Sequence, residues 1–229
     1  MGESHLVNGT RGLVVVTRAP GSDGSKTRLA QAIGVDACAS LQSAFLADTI
    51  TWATPLASRR LLSVFPPSGV PAVAVVADGW AVAPQVGEDF GERMRGAVNA
   101  GFAGGAAPVA MIASDSPTLP PEVLEEGWSL VEGGRCDVAL APAEDGGWVM
   151  IAASRPLPPA CFADVRWSAP ETLDDTRRAL SAAGLRVACA RSWYDVDTAA
   201  DLERLRAELG AGAADRLPRT AAAMKPFPG

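Results

Sequence analysis

The sequence predicts a single α/β domain with a mainly parallel sheet and helices on both faces. Three observations predict this class. Short apolar, β-branched runs alternate along the chain with segments of helical spacing, which is typical of a parallel sheet covered by helices. The length of 229 residues suits one large domain, and 48% hydrophobic residues suffice for a buried core. We expect the domain to span 12–210, between flexible tails at 1–11 and 211–229.

The first half of the chain supplies four predicted strands and two helices. The run GLVVVT at 12–17 is apolar and β-branched, as in a buried strand. Leu41, Phe45, Leu46 and Ile50 share one helical face. A second helix is expected at 88–103, ended by GGAAP. The further strands are expected at 60–65, 70–77 and 109–113.

The second half continues the alternation with one interruption. A helix at 119–132 begins with Pro and Glu residues, which suit a first turn. Two apolar runs joined by AEDG predict a hairpin. The remaining expected elements are the hairpin strands 137–142 and 147–153, a helix at 170–183, a strand at 186–190 and a last helix at 198–209.

Composition excludes several classes of function. The formal net charge is −6 and no basic block occurs, which argues against nucleic-acid or anionic-membrane partners. No apolar leader and no run of about 18 apolar residues is present, so a cytoplasmic location is expected. His5 is the one histidine, which excludes Ser-His-Asp, Cys-His and histidine-rich metal sites. Catalysis must therefore depend on carboxylates, Lys, Arg, backbone dipoles and an oxygen-ligated Mg²⁺ or Mn²⁺.

A glycine-rich loop follows the first predicted strand and ends at a predicted helix. Glycines allow close backbone approach to a ligand, and a helix start favours an anion. Lys26 is one of two lysines in the chain, and Arg28 adds a second positive charge. The Walker A spacing is absent. Nucleotide phosphates or an ordinary surface turn both fit this loop, whose candidate binding residues are Pro20, Gly21, Gly24, Ser25, Lys26, Thr27 and Arg28.

Asp115 and Ser114 lie just beyond the strand predicted at 109–113. Open α/β sheets bind ligands at the carboxyl ends of their strands, where a carboxylate can hold a divalent metal. Capping of the following helix is the alternative role for this segment.

Two later acidic segments are further candidates. Glu144 and Asp145 precede two glycines and either face a ligand or form a turn, for which Asp-Gly is a strong signal. Asp195 and Asp197 alternate along an extended segment and so share one side of it. The functional interpretation is a second metal ligand, and the alternative is that Thr198 or Asp197 caps the last helix.

Seven segments together resemble a bacterial family of glycosyltransferase-related proteins in the GT-A nucleotide-diphospho-sugar transferase superfamily. One branch of that family is known for arsenosugar-biosynthesis glycosyltransferases. The N-terminal loop is also similar to that of 2-phospholactate guanylyltransferases. The resemblance runs from about residue 12 to 209 through PGSDGSKTRLA, AFLADT, QVGEDFGERM, ASDSPTLP, PAEDGGWVMI, VRWSAPETL and WYDVDTAADL.

This resemblance implies a Rossmann-like GT-A fold in which the loop from Pro20 to Arg28 wraps the nucleotide. It implies that Asp115 binds the metal, although the second Asp of the D-x-D motif is absent. Asp197 or Asp195 would supply the second ligand, and Glu144 and Asp145 would face the sugar or acceptor. Five further residues match positions of the family, but the resemblance assigns them no role: Asp48, Gln85, Asp89, Glu92 and Arg93.

Two activities follow as hypotheses. The first is metal-dependent transfer of a sugar from a nucleotide sugar to a small-molecule acceptor, with Glu144 or Asp145 as base. The second is nucleotidyl transfer, in which a phosphorylated small molecule attacks a nucleoside triphosphate and releases pyrophosphate. Lys26 and Arg28 favour the second hypothesis, because cations neutralise a triphosphate. A non-catalytic nucleotide-binding protein is the third alternative, in which loss of Asp115 has no effect on activity.

Overall fold

The computed structural model describes residues 10–22 and 26–225, and it confirms the predicted α/β class. Seven strands form one sheet flanked by helices. The strands are β1 (Gly12–Arg18), β2 (Arg59–Phe65), β3 (Ala81–Pro84), β4 (Val109–Ala113), β5 (Val138–Pro142), β6 (Trp148–Ala153) and β7 (Val187–Cys189). The helices are α1 (Thr27–Ile33), α2 (Val35–Ala53), α3 (Val70–Ala74), α4 (Phe90–Gly101), α5 (Pro121–Glu132), α6 (Thr172–Ala182), α7 (Ala199–Gly210) and α8 (Pro218–Met224).

The sheet order is β3-β2-β1-β4-β6-β5-β7. Strand β6 runs antiparallel to both of its neighbours, and the other strand pairs are parallel. The predicted hairpin is thus confirmed as β5 and β6. Because β5 and β4 both run parallel to β1, their carboxyl ends and the β5–β6 turn meet at one edge of the sheet.

Alternating side chains of β1 connect two separate cores. Leu13 and Val15 belong to the core on one face, and Val14 belongs to the core on the other face. All three side chains are at most 1% exposed. This pattern follows from the period of two in a strand, and it explains why a central parallel strand has an uninterrupted apolar sequence.

The prediction of a strand at 70–77 is wrong. Val70–Ala74 forms helix α3, preceded by a 3-10 turn at Pro67–Gly69. Pro71 lies in the first turn of α3, where its missing N–H costs nothing, whereas a sheet ladder would lose a donor there. Val75 is 85% exposed, so this apolar run is not a buried strand. The third strand is instead β3, a segment for which the sequence indicated no strand.

The segment expected to be a flexible C-terminal tail is packed against the domain as far as residue 225. Helix α8 packs on α2, and Leu217 and Thr220 are completely buried. Asp48 of α2 is also completely buried, and its carboxylate accepts the backbone N–H of Thr220 at 2.7 Å. A second backbone N–H, that of Arg219, donates to Asp48 at 3.3 Å. This contact could not be predicted from local sequence patterns, because Asp48 and Arg219 are 171 residues apart in the chain.

Within residues 10–22 and 26–225, no single helix is long and apolar enough to cross a membrane. Helix α1 and the following segment, Val35–Leu56, are together long and apolar enough, but the chain bends by 120° between them.

Replacing Asp48 tests the anchoring of α8. Asp48→Ala removes the acceptor of two backbone N–H groups in a buried site, so we expect a loss of about 2–4 kcal/mol in the free energy of unfolding. The measurement is urea denaturation followed by circular dichroism. Arg219→Ala, which removes the exposed partner of the same carboxylate, should cost less than about 1 kcal/mol. Equal losses in both variants would contradict the assigned role of the buried amide contacts.

Candidate active site

Three carboxylates converge at the carboxyl edge of the sheet. Asp115 follows β4, and Asp195 and Asp197 lie in the extended segment between β7 and α7. The N–H of Val196 donates to the backbone carbonyl of Asp115 at 2.9 Å, which holds the two segments side by side. One carboxylate oxygen from each aspartate lies within 4.8 Å of the other two. The sequence placed these residues on separate segments, and the fold brings them together.

The ammonium group of Lys26 lies among these three carboxylates. Its Nζ is 2.7 Å from Asp115 Oδ2 and 3.5 Å from Asp195 Oδ2, and it also contacts Asp197. The Lys26 side chain is only 10% exposed. Its backbone has φ +48°, a left-handed conformation at the N-cap of α1. We call Lys26, Asp115, Asp195 and Asp197 the acidic cluster.

The electrostatics of the acidic cluster are strongly coupled. Burial disfavours the charged form of Lys26, but the attraction of Asp115, Asp197 and Asp195 outweighs burial and raises the pKa of Lys26. Burial and the negative charge of Asp115 raise the pKa of Asp195 to about 7, against the opposing effect of Lys26. The cluster therefore has a surplus of negative charge that one ammonium group does not fully compensate.

A divalent cation fits this donor set. Hard cations such as Mg²⁺ and Mn²⁺ prefer oxygen ligands, and the cluster offers three carboxylates on separate segments. Each aspartate is between a quarter and two-fifths exposed, so the site is open to a phosphate-bearing ligand. Lys26 contacts the same three carboxylates, so it shares their charge with any cation bound there.

Three cavities adjoin Asp115. The basic cavity, of about 390 Å³, is bordered by Arg18, Lys26 and Arg28 together with Phe45, Asp115 and Asp197. The Gln85 cavity, of about 180 Å³, is bordered by Gln85, Arg18 and Arg93. Cationic side chains thus line both of these cavities, as binding of phosphate groups requires.

The third cavity, the aromatic cavity of about 270 Å³, has different walls. Phe90, Trp148 and Trp167 border it together with the three aspartates of the acidic cluster and Asp145. The ring centroids of Phe90 and Trp167 are 4.8 Å apart, edge to face, and Trp148 and Trp167 are 6.2 Å apart. This cavity lies beside the acidic cluster and takes its walls largely from the second half of the chain.

Four of the eight predicted nucleotide-binding residues border the basic cavity. Lys26, Thr27, Arg28 and Ser114 line it, and the Ser114 hydroxyl donates to Thr17 Oγ1 at 2.9 Å. Pro20 and Gly21 belong to the described loop but do not line a cavity described above, and Gly21 has φ +75°. Gly24 and Ser25 lie outside the described residues.

The two acids of the β5–β6 turn differ in placement. Both acids are exposed, but Glu144 pairs with Arg204 at 2.7 Å and lines none of the three cavities. Asp145 borders the aromatic cavity, and its Oδ1 accepts the N–H of Gly147 at 2.9 Å. Gly146 has φ +95°, as the turn interpretation requires. The segment is therefore a turn that also presents one acid, Asp145, to a cavity.

Helix capping, the alternative role of Asp115 and Asp197, is provided by other residues, one of which is Thr198, the other cap candidate of the last helix. Thr198 caps α7 in a capping box with Asp201, and Pro120 is the N-cap of α5. Neither Asp115 nor Asp197 is therefore needed as a helix cap.

Several bordering residues were not predicted from the sequence. Arg18 borders two cavities, Trp167 and Ser168 border the aromatic cavity, and Gln85 and Arg93 had no assigned role. The one available signal was that VRWSAPETL and QVGEDFGERM contributed to the family resemblance. Ser168 has φ +57°, and this left-handed conformation could not be predicted from the sequence because serine rarely adopts it.

An ion pair fixes the wall that carries Trp167. Arg166 donates from Nε to Asp175 Oδ2 at 2.7 Å and from Nη2 to Oδ1 at 3.1 Å. The Asp175 side chain is 2% exposed, and its hydrogen bonds with Arg166 hold its pKa well below the ordinary value. Asp175 in α6 thereby positions the segment Arg166–Ser168 beside the aromatic cavity.

The Asp175 pair predicts a pH dependence of stability. A lowered pKa in the folded state stabilises the protein above the ordinary Asp pKa of about 4, and the effect is lost as the pH falls further. Asp175→Asn should therefore be less stable than the wild type at pH 7, and the difference should shrink below pH 4. The measurement is the urea midpoint from pH 7 to pH 3. A difference independent of pH would rule out this charge effect.

Comparisons with known proteins identify the family of this chain and a curated relative. Residues 37–169 match the family model described as "Uncharacterized protein conserved in bacteria (DUF2064)". The chain is 31% identical over 205 residues to a phosphoenolpyruvate guanylyltransferase of Nocardia farcinica, covering 85% of this chain and 84% of that protein.

Solved structures share the fold. A protein of Desulfovibrio desulfuricans G20, proposed to be a nucleotide-diphospho-sugar transferase, superposes with a TM-score of 0.82 and 26% identity, covering 96% of this chain and 98% of that one. An inositol-1-phosphate CTP transferase of T. maritima shares the fold alone, with a TM-score of 0.56 and 14% identity over 90% of this chain and 97% of that one. The predicted superfamily is thus supported, and its transferase homologues support an enzyme. The chain belongs to the bacterial family DUF2064.

Proposed function

We propose that this protein is a nucleotidylyltransferase that joins a nucleoside triphosphate to a phosphorylated small molecule and releases pyrophosphate. The observation that carries this proposal is the acidic cluster, which lies between a cavity lined by cations and a cavity lined by aromatic rings. Similarity to the Nocardia guanylyltransferase supports the same chemistry and makes GTP the first donor to test. The proposal adopts the second of the two activities predicted from the sequence.

The basic cavity suits the donor. A triphosphate carries several negative charges, and Arg18, Lys26 and Arg28 bring three cations to one cavity. Charge-assisted hydrogen bonds from such groups are stronger than neutral ones, so they hold the departing pyrophosphate as its charge increases. The volume of about 390 Å³ accommodates a nucleotide-sized ligand.

The acceptor then lies on the other side of the acidic cluster. In the proposed step an oxygen of the acceptor phosphate attacks the α-phosphorus, the bond from the α-phosphorus to the bridging oxygen breaks, and pyrophosphate leaves. A phosphomonoester with a second pKa near 6 is already largely deprotonated at pH 7. The reaction therefore needs no general base, which agrees with the pairing of Glu144 with Arg204.

Asp115, Asp195 and Asp197 would hold the divalent metal, Mg²⁺ or Mn²⁺. When bound, such an ion supplies positive charge to phosphate oxygens. Lys26 would donate hydrogen bonds to the α-phosphate or to the leaving group. The expectations of no nucleic-acid partner, no membrane partner and a cytoplasmic location belong to the same proposal.

Glycosyl transfer from a nucleotide sugar is the second candidate. The observation that favours it is the 26% identity with the Desulfovibrio protein over almost the whole chain. In that reaction Asp145, at the edge of the aromatic cavity, would act as base toward an acceptor hydroxyl. The sugar would then occupy the aromatic cavity.

Phosphorus NMR separates the two candidates. Purified protein is incubated with Mg²⁺, a panel of triphosphates and nucleotide sugars, and phosphorylated or hydroxylated acceptors. We expect pyrophosphate together with a new diphosphate linkage, formed fastest from GTP. Nucleoside diphosphate released only from a nucleotide sugar would establish glycosyl transfer instead.

Asp115→Asn tests the acidic cluster. It keeps the size of the side chain but removes one carboxylate, so we expect turnover to fall about 10²- to 10⁴-fold with the thermal midpoint unchanged or raised. Asp78→Asn is the matched control, because Asp78 is an exposed aspartate preceding the amino end of β3. Unchanged turnover in Asp115→Asn would leave a non-catalytic nucleotide-binding protein as the better description.

Lys26→Met tests whether Lys26 and a metal ion compete for the three carboxylates, and the quantity measured is the affinity for Mn²⁺. The ammonium group contacts the three carboxylates that would hold the metal, so its removal should tighten Mn²⁺ binding about tenfold in the absence of nucleotide. The same change should lower turnover. Lys225→Met, the same substitution at the only other lysine, should change neither property. Weaker Mn²⁺ binding in Lys26→Met would contradict competition for these carboxylates. Electron paramagnetic resonance of Mn²⁺ provides the measurement.

A further inference from the structure

We infer that the acceptor is a phosphomonoester whose carbon body carries hydroxyl or amino groups and no carboxylate. This inference rests on the proposed nucleotidyl transfer and narrows its acceptor. It concerns the aromatic cavity, whose chemistry differs from that of the two neighbouring cavities.

The first step is the charge of the cavity wall. Four aspartates border the aromatic cavity, and no Lys, Arg or His does so within the described ranges. By contrast, the basic cavity combines three cations with Asp115 and Asp197, and the Gln85 cavity combines two cations with Asp115. An acceptor that carried both a phosphate and a carboxylate would therefore find no cationic side chain in the wall for its second anion.

The second step concerns Asp145. Asp115, Asp195 and Asp197 share the ammonium of Lys26, whereas Asp145 forms no ion pair with any residue in the described part of the chain. Its Oδ1 accepts the N–H of Gly147, so Oδ2 remains to accept a hydrogen bond from a ligand. Asp145 is exposed, so its charge acts on a ligand only at short range. A ligand hydroxyl or ammonium would donate to Oδ2, whereas a ligand carboxylate in the same place would be repelled.

The third step concerns the remaining wall. Phe90, Trp148 and Trp167 supply apolar surface and ring quadrupoles, which favour C–H groups and cations. Ser116 is only 2% exposed, and its hydroxyl has no hydrogen-bond partner among residues 10–22 and 26–225. A buried hydroxyl without a partner is costly, and a polar ligand group in this cavity would satisfy it.

These features suit a small body that is polar at one edge and apolar at its faces. A polyol, a sugar ring or an amino alcohol has this character. Its phosphate would point toward the acidic cluster, where Lys26 and the divalent cation of the proposed function would offset its charge. Phosphoenolpyruvate appears in the name of the Nocardia relative. It carries a carboxylate and therefore lacks this character.

The experiment uses two pairs of ligands that differ by one carboxylate. Glycerol 3-phosphate is compared with 3-phosphoglycerate, and phosphoethanolamine with phosphoserine. Binding is measured by isothermal titration calorimetry with Mg²⁺ and a non-hydrolysable GTP analogue. In both pairs we expect the carboxylate-free member to bind about tenfold more tightly or better.

Two variants test the assigned cause. Asp145→Asn keeps an oxygen for the N–H of Gly147 but removes the charge, so the difference within each pair should narrow. Trp167→Phe should weaken both members equally, because it reduces apolar contact and leaves the charge unchanged. Asp78→Asn should leave all four affinities as they are.

Three results would overturn the inference. These are equal or tighter binding of the carboxylate-bearing members or of phosphoenolpyruvate, no binding of all four probes, and an unchanged difference in Asp145→Asn. The proposed function fails separately, when no triphosphate yields pyrophosphate with any acceptor. Pyrophosphate release that depends on a carboxylate-bearing acceptor would retain the proposed function and refute the inference alone.

Discussion

The ion-pair network around Lys26 is the constraint on which the site depends. Three carboxylates from two distant segments approach one another because an ammonium group lies among them. Charges with limited exposure are tolerated only when paired, so this contact requires the end of β4, the segment before α7 and the loop after β1 to keep their relative positions. The left-handed backbone of Lys26 is part of that requirement, since it directs the side chain into the cluster at the start of α1. A displacement of any of these three segments would separate charges that are now paired.

The arrangement of charge around the network separates two ligand environments. The loop after β1 and the start of α1 supply cations on one side. The β5–β6 turn and the segment before α6 supply aromatic rings and Asp145 on the other. Asp115 borders both environments, as expected for a group that acts on the bond between two substrates. Transfer chemistry needs this geometry, because donor and acceptor must meet at one point while remaining in different surroundings.

Much of this could be predicted from local sequence, and some of it could not. Strands β1 and β4 are continuous apolar runs, so period and composition identify them, and Asp115 follows from its place after β4. Val70–Ala74 was predicted as a strand because short apolar runs do not distinguish strand from exposed helix, and its proline was the only contrary signal. Helix α8 depends on the buried carboxylate of Asp48, a contact over long sequence separation that local patterns do not encode. The positions of Trp167 and Ser168 depend on the Arg166–Asp175 pair and on a left-handed serine, which are likewise tertiary features.

The antiparallel strand β6 has a consequence for how related proteins can diverge. It returns the chain through the middle of the sheet and leaves the turn Ala143–Gly147 at the reacting edge, outside the loops that carry the cations. Under the proposed function, substitutions in this turn or at Trp167 would alter the surroundings of the acceptor and not those of the donor, because these residues line the aromatic cavity and not the basic cavity. Ser168, in contrast, lines both cavities. Exchanging this turn and Trp167 between family members would then give chimaeras with a new acceptor and an inherited donor, so that the two preferences would be inherited as separate traits.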